Sequence, residues 1–159
     1  MAANQRDPPS EVAPVKVAVV KESAPAERRV ALTPEAVAKL QTAGHEILVE
    51  TGAGAGAYHF DESYSAAGAS VVTADQATEA DALLLVGRPS PELIGKLRPG
   101  QAIFGLFAPL TDPELAERLA ATGATAVSLD MIPRTLPRAQ PMDALSSQAN
   151  ISGYKAVLK

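Results

Sequence analysis

Arg138, Gln140, Asp143 and Ser146 lie within nine residues of one another in RTLPRAQPMDALSSQANISGYK, and Arg134 lies four residues further upstream. A carboxamide, a carboxylate and a hydroxyl converging on one point, from Gln140, Asp143 and Ser146, would suit a neutral polar ligand such as an amide through directional hydrogen bonds. Asp143 and Ser146 are three apart and share a face if a helix begins there, with Gln140 just before its start. The same residues admit a reading without ligand, because Asp is a preferred N-cap. Capping leaves Arg134, Arg138 and Gln140 unexplained in a loop stiffened by Pro133, Pro137 and Pro141. Polar groups on such connections are where binding concentrates. On chemistry alone both readings stand.

Three other groups compete. GAGAGA follows a strand pattern and fits G-x-G-x-x-G/A at Gly52, Gly54 and Ala57, with Asp75 about 20 residues on, as in a dinucleotide fingerprint. Against that, this is the second strand–helix turn rather than the first, and YHF separates the glycines from the next helix. Asp61 and Glu62 at that helix start would also repel a phosphate. The alternative is a plain turn. Glu22, Arg28 and Arg29 lie in the loop after the first strand, where open parallel sheets bind ligands, and an arginine there suits a carboxylate or phosphate. A solvated loop or a local Glu–Arg pair explains them equally well. Arg88 and Lys96, after the fourth strand, carry the same ambiguity. His45 and His59 have no carboxylate or serine partner placed by the sequence and read as surface residues. No nucleophile elbow, P-loop or metal-ligand cluster is evident.

The elements that must position these groups follow from composition and pattern. The chain has 159 residues, a net charge of −4 and 47% apolar residues, a mildly acidic globular profile that speaks against nucleic acid and anionic membrane as direct partners. It has no cysteine, which excludes disulfides and thiolate metal sites. No apolar run approaches the ~20 residues of a membrane helix. The polar, Pro-containing start lacks a signal-peptide pattern, so residues 1–14 are expected to be a disordered tail and the compartment cytoplasmic. With three Phe, three Tyr and no Trp, the core must be aliphatic, which suits parallel strands buried on both faces.

Six strand patterns, VKVAVVK, HEILVET, ASVVT, ADALLLVG, QAIFGLF and ATAVSLD, alternate with helix patterns. Thr33 and Pro34 open the first helix, and Gly44 sits where a left-handed cap belongs. TDPELAERLAATG repeats that Thr–Pro–Gly pattern, with Thr111 expected as the cap. A last helix begins near Asp143. The alternation predicts an α/β fold: a doubly wound, mostly parallel sheet with helices on both faces, a Rossmann-like or flavodoxin-like three-layer sandwich. That domain is expected over 15–142, with 143–159 starting a helix toward a second lobe.

RAQPMDALSSQANISGYKAV resembles the segment R-A-Q-S-[ML]-D-x-L-S-S-x-x-N-x-[AS]-G-Y-[KR]-A-V of the alpha subunit of proton-translocating NAD(P) transhydrogenase. VAVVKESAPAERRVALTPEAVAKL, VETGAGAGAYHFDESYSAAGASVV and KLRPGQAIFGLFAPL extend the likeness over roughly residues 15–159. Alanine dehydrogenases share this N-terminal architecture and the RVALTP element. The resemblance implies an NAD(H)-binding component, peripheral to the membrane and homodimeric. It would exchange hydride with NADP(H) on a partner component, coupled to proton movement through a membrane component. It also implies that the family's glycine fingerprint lies in a second lobe, that the lobe alone is inactive, and that GAGAGA is a structural turn.

By the same resemblance an Arg, Gln140, Asp143 and Ser146 form the nicotinamide-facing loop. Arg134 is the counterpart of the family's arginine in P-R-I-S-R-A-Q, but PRTLPRAQ has one residue more, which leaves Arg138 as a competitor. Pro141 replaces the usual Ser. Two other readings remain: an alanine dehydrogenase-like domain and a non-catalytic α/β binding module. The former needs a Lys and a His after the fourth and fifth strands, where this chain reads LVGRPS and GLFAPL.

Overall fold

The computed structural model describes residues 13–133 and 135–158; residues 1–12, Arg134 and Lys159 lie outside them. The strands are β1 (Lys16–Val19), β2 (Glu46–Glu50), β3 (Ser70–Val72), β4 (Ala82–Leu84), β5 (Ala102–Gly105) and β6 (Thr125–Ser128). They form one sheet in the order β3-β2-β1-β4-β5-β6, with every pair parallel. The expected doubly wound α/β architecture is present, and the order, which the sequence does not encode locally, reverses direction between β1 and β4. Ligands of open α/β sheets bind outside the strands' carboxyl ends at such a reversal.

The helices are α1 (Pro34–Thr42), α2 (Asp61–Ala66), α3 (Ala74–Ala77), α4 (Pro91–Lys96), α5 (Pro113–Ala121) and α6 (Ala144–Val157). Thr33 Oγ1 accepts the Ala36 N–H at 3.4 Å, Pro34 occupies the first turn, and Gly44 has φ +92° just past the C-cap. At α5 the cap is Asp112, whose Oδ1 accepts the Leu115 N–H at 3.1 Å, and not Thr111. The reason is the proline: Pro113 takes the first helical position, so the residue immediately before it becomes the cap. Thr111 Oγ1 instead donates to the Ala108 carbonyl at 3.1 Å.

Register divides the core. Ala18, Leu83 and Ile103 pair across β1, β4 and β5, and face α3, α4 and α5 through Ala77, Leu93, Ile94, Leu115 and Leu119. Val17, Val19, Ile47, Val49 and Ala82 face the other side, where Val37 of α1 and Tyr64 of α2 cover them. Leu83, Ile103, Val19 and Val37 are fully buried, and each such side chain contributes roughly 1.5–3 kcal/mol of transfer free energy. Two aliphatic cores clamp the sheet, so its carboxyl edge is a rigid platform for the loops that follow.

Candidate functional site

At the reversal between β1 and β4 the loops are tied together by carboxylates. Glu22, three residues past β1, accepts the Val86 N–H at 2.5 Å and the Gly87 N–H at 3.1 Å beyond β4. Both orphan donors at the end of β4 are thereby satisfied by a charge-assisted contact. Past β5, Ser128 Oγ accepts the Phe107 N–H at 3.0 Å and Asp130 Oδ2 accepts the Ala108 N–H at 2.8 Å. Ser128 also donates to Asp130. Sequence reasoning passed over this Ser-x-Asp pair, whose signal was its place just after a strand at the carboxyl edge.

The first loop turns on Arg29. Its Nε and Nη2 donate to the two oxygens of Glu27 at 2.8 and 2.5 Å, and its Nη1 donates to Gln148 Oε1 at 3.1 Å. Glu22 is therefore not the arginine's hydrogen-bonding partner. The Arg29 fork holds the Glu27 carboxyl well down, from the ordinary 4.5 to about 2. A carboxylate with a depressed pKa stabilises the fold fully above its unfolded value and loses that contribution as pH falls toward the folded one. In thermal unfolding against pH, wild type is expected to exceed Glu27→Gln at neutrality, with the gap closing between about 4.5 and about 2. A gap that persisted below that window would contradict the pairing.

A cleft of about 270 Å³ opens where these loops meet α6, lined by Arg29, Ala31, Val86, Leu106, Leu129 and Gln148 among others. The connection leading into α6 is a series of tight turns. Leu136 N–H donates to Pro133 O, Ala139 to Leu136, Met142 to Ala139 and Asp143 to Gln140, at 2.9–3.2 Å. Pro137 and Pro141 each occupy the second position of a turn, where their fixed φ is favoured. Ala139 is 4% exposed and pins the loop, while Arg138 and Gln140 on either side of it are exposed. Asp143 caps α6, its Oδ1 accepting the Ser146 N–H at 2.9 Å. Gln140, Asp143 and Ser146 thus share one helix start, and Arg138 lies two residues before Gln140 in the chain, exposed. Arg134 lies outside the described residues. Capping is real here, yet it occupies only Asp143; the Arg138 and Gln140 side chains hydrogen-bond to no other described residue.

The remaining candidates resolve into structure. The Gly52 N–H donates to Asp61 Oδ1 at 2.9 Å, so the glycine loop is closed by the acidic helix start that follows it. Ala55–Ala57 form a 3-10 turn, and Arg28 covers it by bonding Gly56 O at 3.4 Å and stacking over Tyr58 at 5.5 Å. Asp75 pairs with Lys96 at 2.6 Å, and Arg88 with Asp112 at 3.1 Å. His45 Nδ1 accepts the Val15 N–H at 3.4 Å, and His59 packs edge-on against Tyr64. Among the described residues no helix is long and apolar enough to cross a membrane.

An all-parallel sheet in this order, with polar side chains gathered past its carboxyl edge, defines a Rossmann-like α/β domain. The chain belongs to the alanine dehydrogenase/PNT N-terminal domain family, whose model matches residues 18–152. It is 43% identical over 147 residues to the NAD(P) transhydrogenase subunit alpha of Cereibacter sphaeroides, covering 91% of this chain and 28% of that protein. The transhydrogenase structure from Sinorhizobium meliloti superposes with a TM-score of 0.86 at 43% identity, over 90% of this chain and 43% of that one. The alanine dehydrogenase of Bacillus subtilis is 37% identical over 135 residues, covering 83% and 36%. The chain therefore spans between about a quarter and less than half of the length of these relatives.

Proposed function

We propose that this chain forms the N-terminal lobe of the NAD(H)-binding component of a proton-translocating NAD(P) transhydrogenase. Working as a cytoplasmic homodimer, that component would exchange hydride with NADP(H) on a partner component and lie peripheral to a membrane component that moves protons. The observation that supports this most is the folding of Gln140, Asp143 and Ser146 into one cap-and-turn at the start of α6, with Arg138 beside it. Similarity to the named transhydrogenase subunits points the same way. The alanine dehydrogenase reading is disfavoured after β4 and β5, where it needs a Lys and a His. There the chain places Arg88, held by Asp112, and Phe107, which is buried.

The lobe's groups suit the nicotinamide end of the cofactor rather than its phosphates. Exposed Arg138 and Gln140 are donors and acceptors of the kind a carboxamide needs, and Arg134 shares the arginine assignment. Asp143, by holding the Ser146 N–H, keeps the helix start and its hydroxyl in place. The glycine loop has given its Gly52 N–H to Asp61 and is not a pyrophosphate cradle. The nicotinamide, when bound, supplies the hydride chemistry; the chain's own residues orient it and need act as neither acid nor base. In the assembled complex, Gln140→Asn is expected to slow hydride transfer by roughly tenfold to a hundredfold, the effect of misplacing a reactant by about 1 Å. NADH affinity should change much less. An unaltered transfer rate sinks the role of Gln140.

A further inference from the structure

We propose that Arg29 and Gln148 form a strut that sets the rotation of α6, making both positioning residues for the Gln140–Ser146 turn. The second half of that statement rests on the function proposed above; the first half does not.

The helix is held to the domain by little apolar contact. Across Ala144–Val157 no side chain is buried, and only Ala144, Leu145 and Gln148 are even half-buried. Everything from Ala149 to Leu158 is exposed. Within this lobe, the face by which α6 meets the domain is one turn long. Ala144 and Gln148, one turn apart, both line the cleft at the sheet's edge. What meets Gln148 across that cleft is a guanidinium already fixed in orientation. Glu27 takes two of its N–H groups at 2.8 and 2.5 Å and also accepts the Arg29 backbone N–H at 2.9 Å. The third direction of the fork points at Gln148 Oε1, 3.1 Å away. A preoriented fork loses less entropy on bonding than a free side chain would.

The turn to be positioned is close to this contact. Asp143 and Ser146 lie within one and a half turns of Gln148, on the same stretch of helix. With side chains at about 5 Å from the helix axis, a rotation of roughly 10° displaces them by about 1 Å. That displacement is on the scale that costs about a hundredfold in a positional reaction.

The test exploits the absence of cysteine in the chain. Glu117→Cys on α5 and Ser152→Cys on α6, both exposed, accept spin labels, and the distance distribution between them reads the placement of α6 on the domain. Gln148→Leu removes the acceptor at similar volume, and the distribution is expected to broaden about twofold as the helix loses this contact and keeps only its packing against the Leu129–Met131 turn. Gln148→Glu keeps an acceptor and adds charge, so it should restore the narrow distribution. In the assembled complex Gln148→Leu is expected to lower the hydride transfer rate roughly tenfold to a hundredfold with little change in KM for NADH, and Gln148→Glu to recover it. An unchanged distribution in Gln148→Leu overturns the strut. A broadened distribution with unchanged transfer overturns its positioning role. If the wild-type complex transfers no hydride at all, the functional reading fails while the distance measurement still decides the strut.

Discussion

Gly54→Ala is expected to destabilise the domain by about 3 kcal/mol, the upper end of overpacking costs. For a domain of this size that is a fall in Tm of roughly 10 °C. A Cβ at Gly54 would stand 2.5 Å from the His59 carbonyl oxygen and 2.6 Å from Tyr64 Cε2. Neither neighbour can yield. The His59 oxygen is backbone, and Tyr64 is fully buried with its hydroxyl donating to Leu32 O at 2.8 Å. Gly54 itself has φ −90°, so backbone strain makes no contribution and the whole effect is steric. Gly95→Ala is the matched control. It lies inside α4 with nothing within 4 Å of the added carbon, and should gain roughly 0.5–1 kcal/mol through the unfolded chain. Urea unfolding of the two variants decides the matter: a Gly54→Ala loss below about 1 kcal/mol would mean the loop is not packed as described.

Glu22→Ala is expected to cost about 2–4 kcal/mol, because it strands two part-buried backbone donors together. The Val86 and Gly87 N–H groups both point to the Glu22 carboxylate, at 2.5 and 3.1 Å. Glu22→Gln keeps one acceptor and presents an NH2 to the other donor, so it should lose about half as much. The order wild type, Gln, Ala in denaturant midpoint is the signature of this bridge. Equal midpoints for all three would remove it. The contact also explains why Glu22 does not pair with Arg28 or Arg29: the donors past β4 have no other acceptor among the described residues, whereas Arg29 is held by Glu27 and Arg28 by Gly56 O and Tyr58.

Much of the fold was legible because its signals are local. Thr33 before Pro34, the left-handed Gly44 and the β-branched runs of β1 and β2 all act within one turn or one strand. The one misplaced cap, Thr111 for Asp112, came from matching the residue type rather than its position relative to Pro113. The turn and cap before α6 were legible in the same way. Pro137, Pro141 and Asp143 dictate turns and a cap over three or four residues, which set the local backbone between Gln140 and Ser146.

What the sequence by itself determined, then, is the set of elements, their parallel character and the composition of the polar turn before α6. Only the tertiary structure decided the strand order and which charged groups are occupied. Glu22 finds its partners 64 and 65 residues away, Arg29 reaches 119 residues to Gln148, and the glycines of GAGAGA are shaped by Tyr64 and Arg28. The physical reason is range. Caps, turns and strand propensity arise from backbone groups a few residues apart, whereas satisfying a half-buried charge depends on whichever donors the sheet's order happens to carry to the same edge.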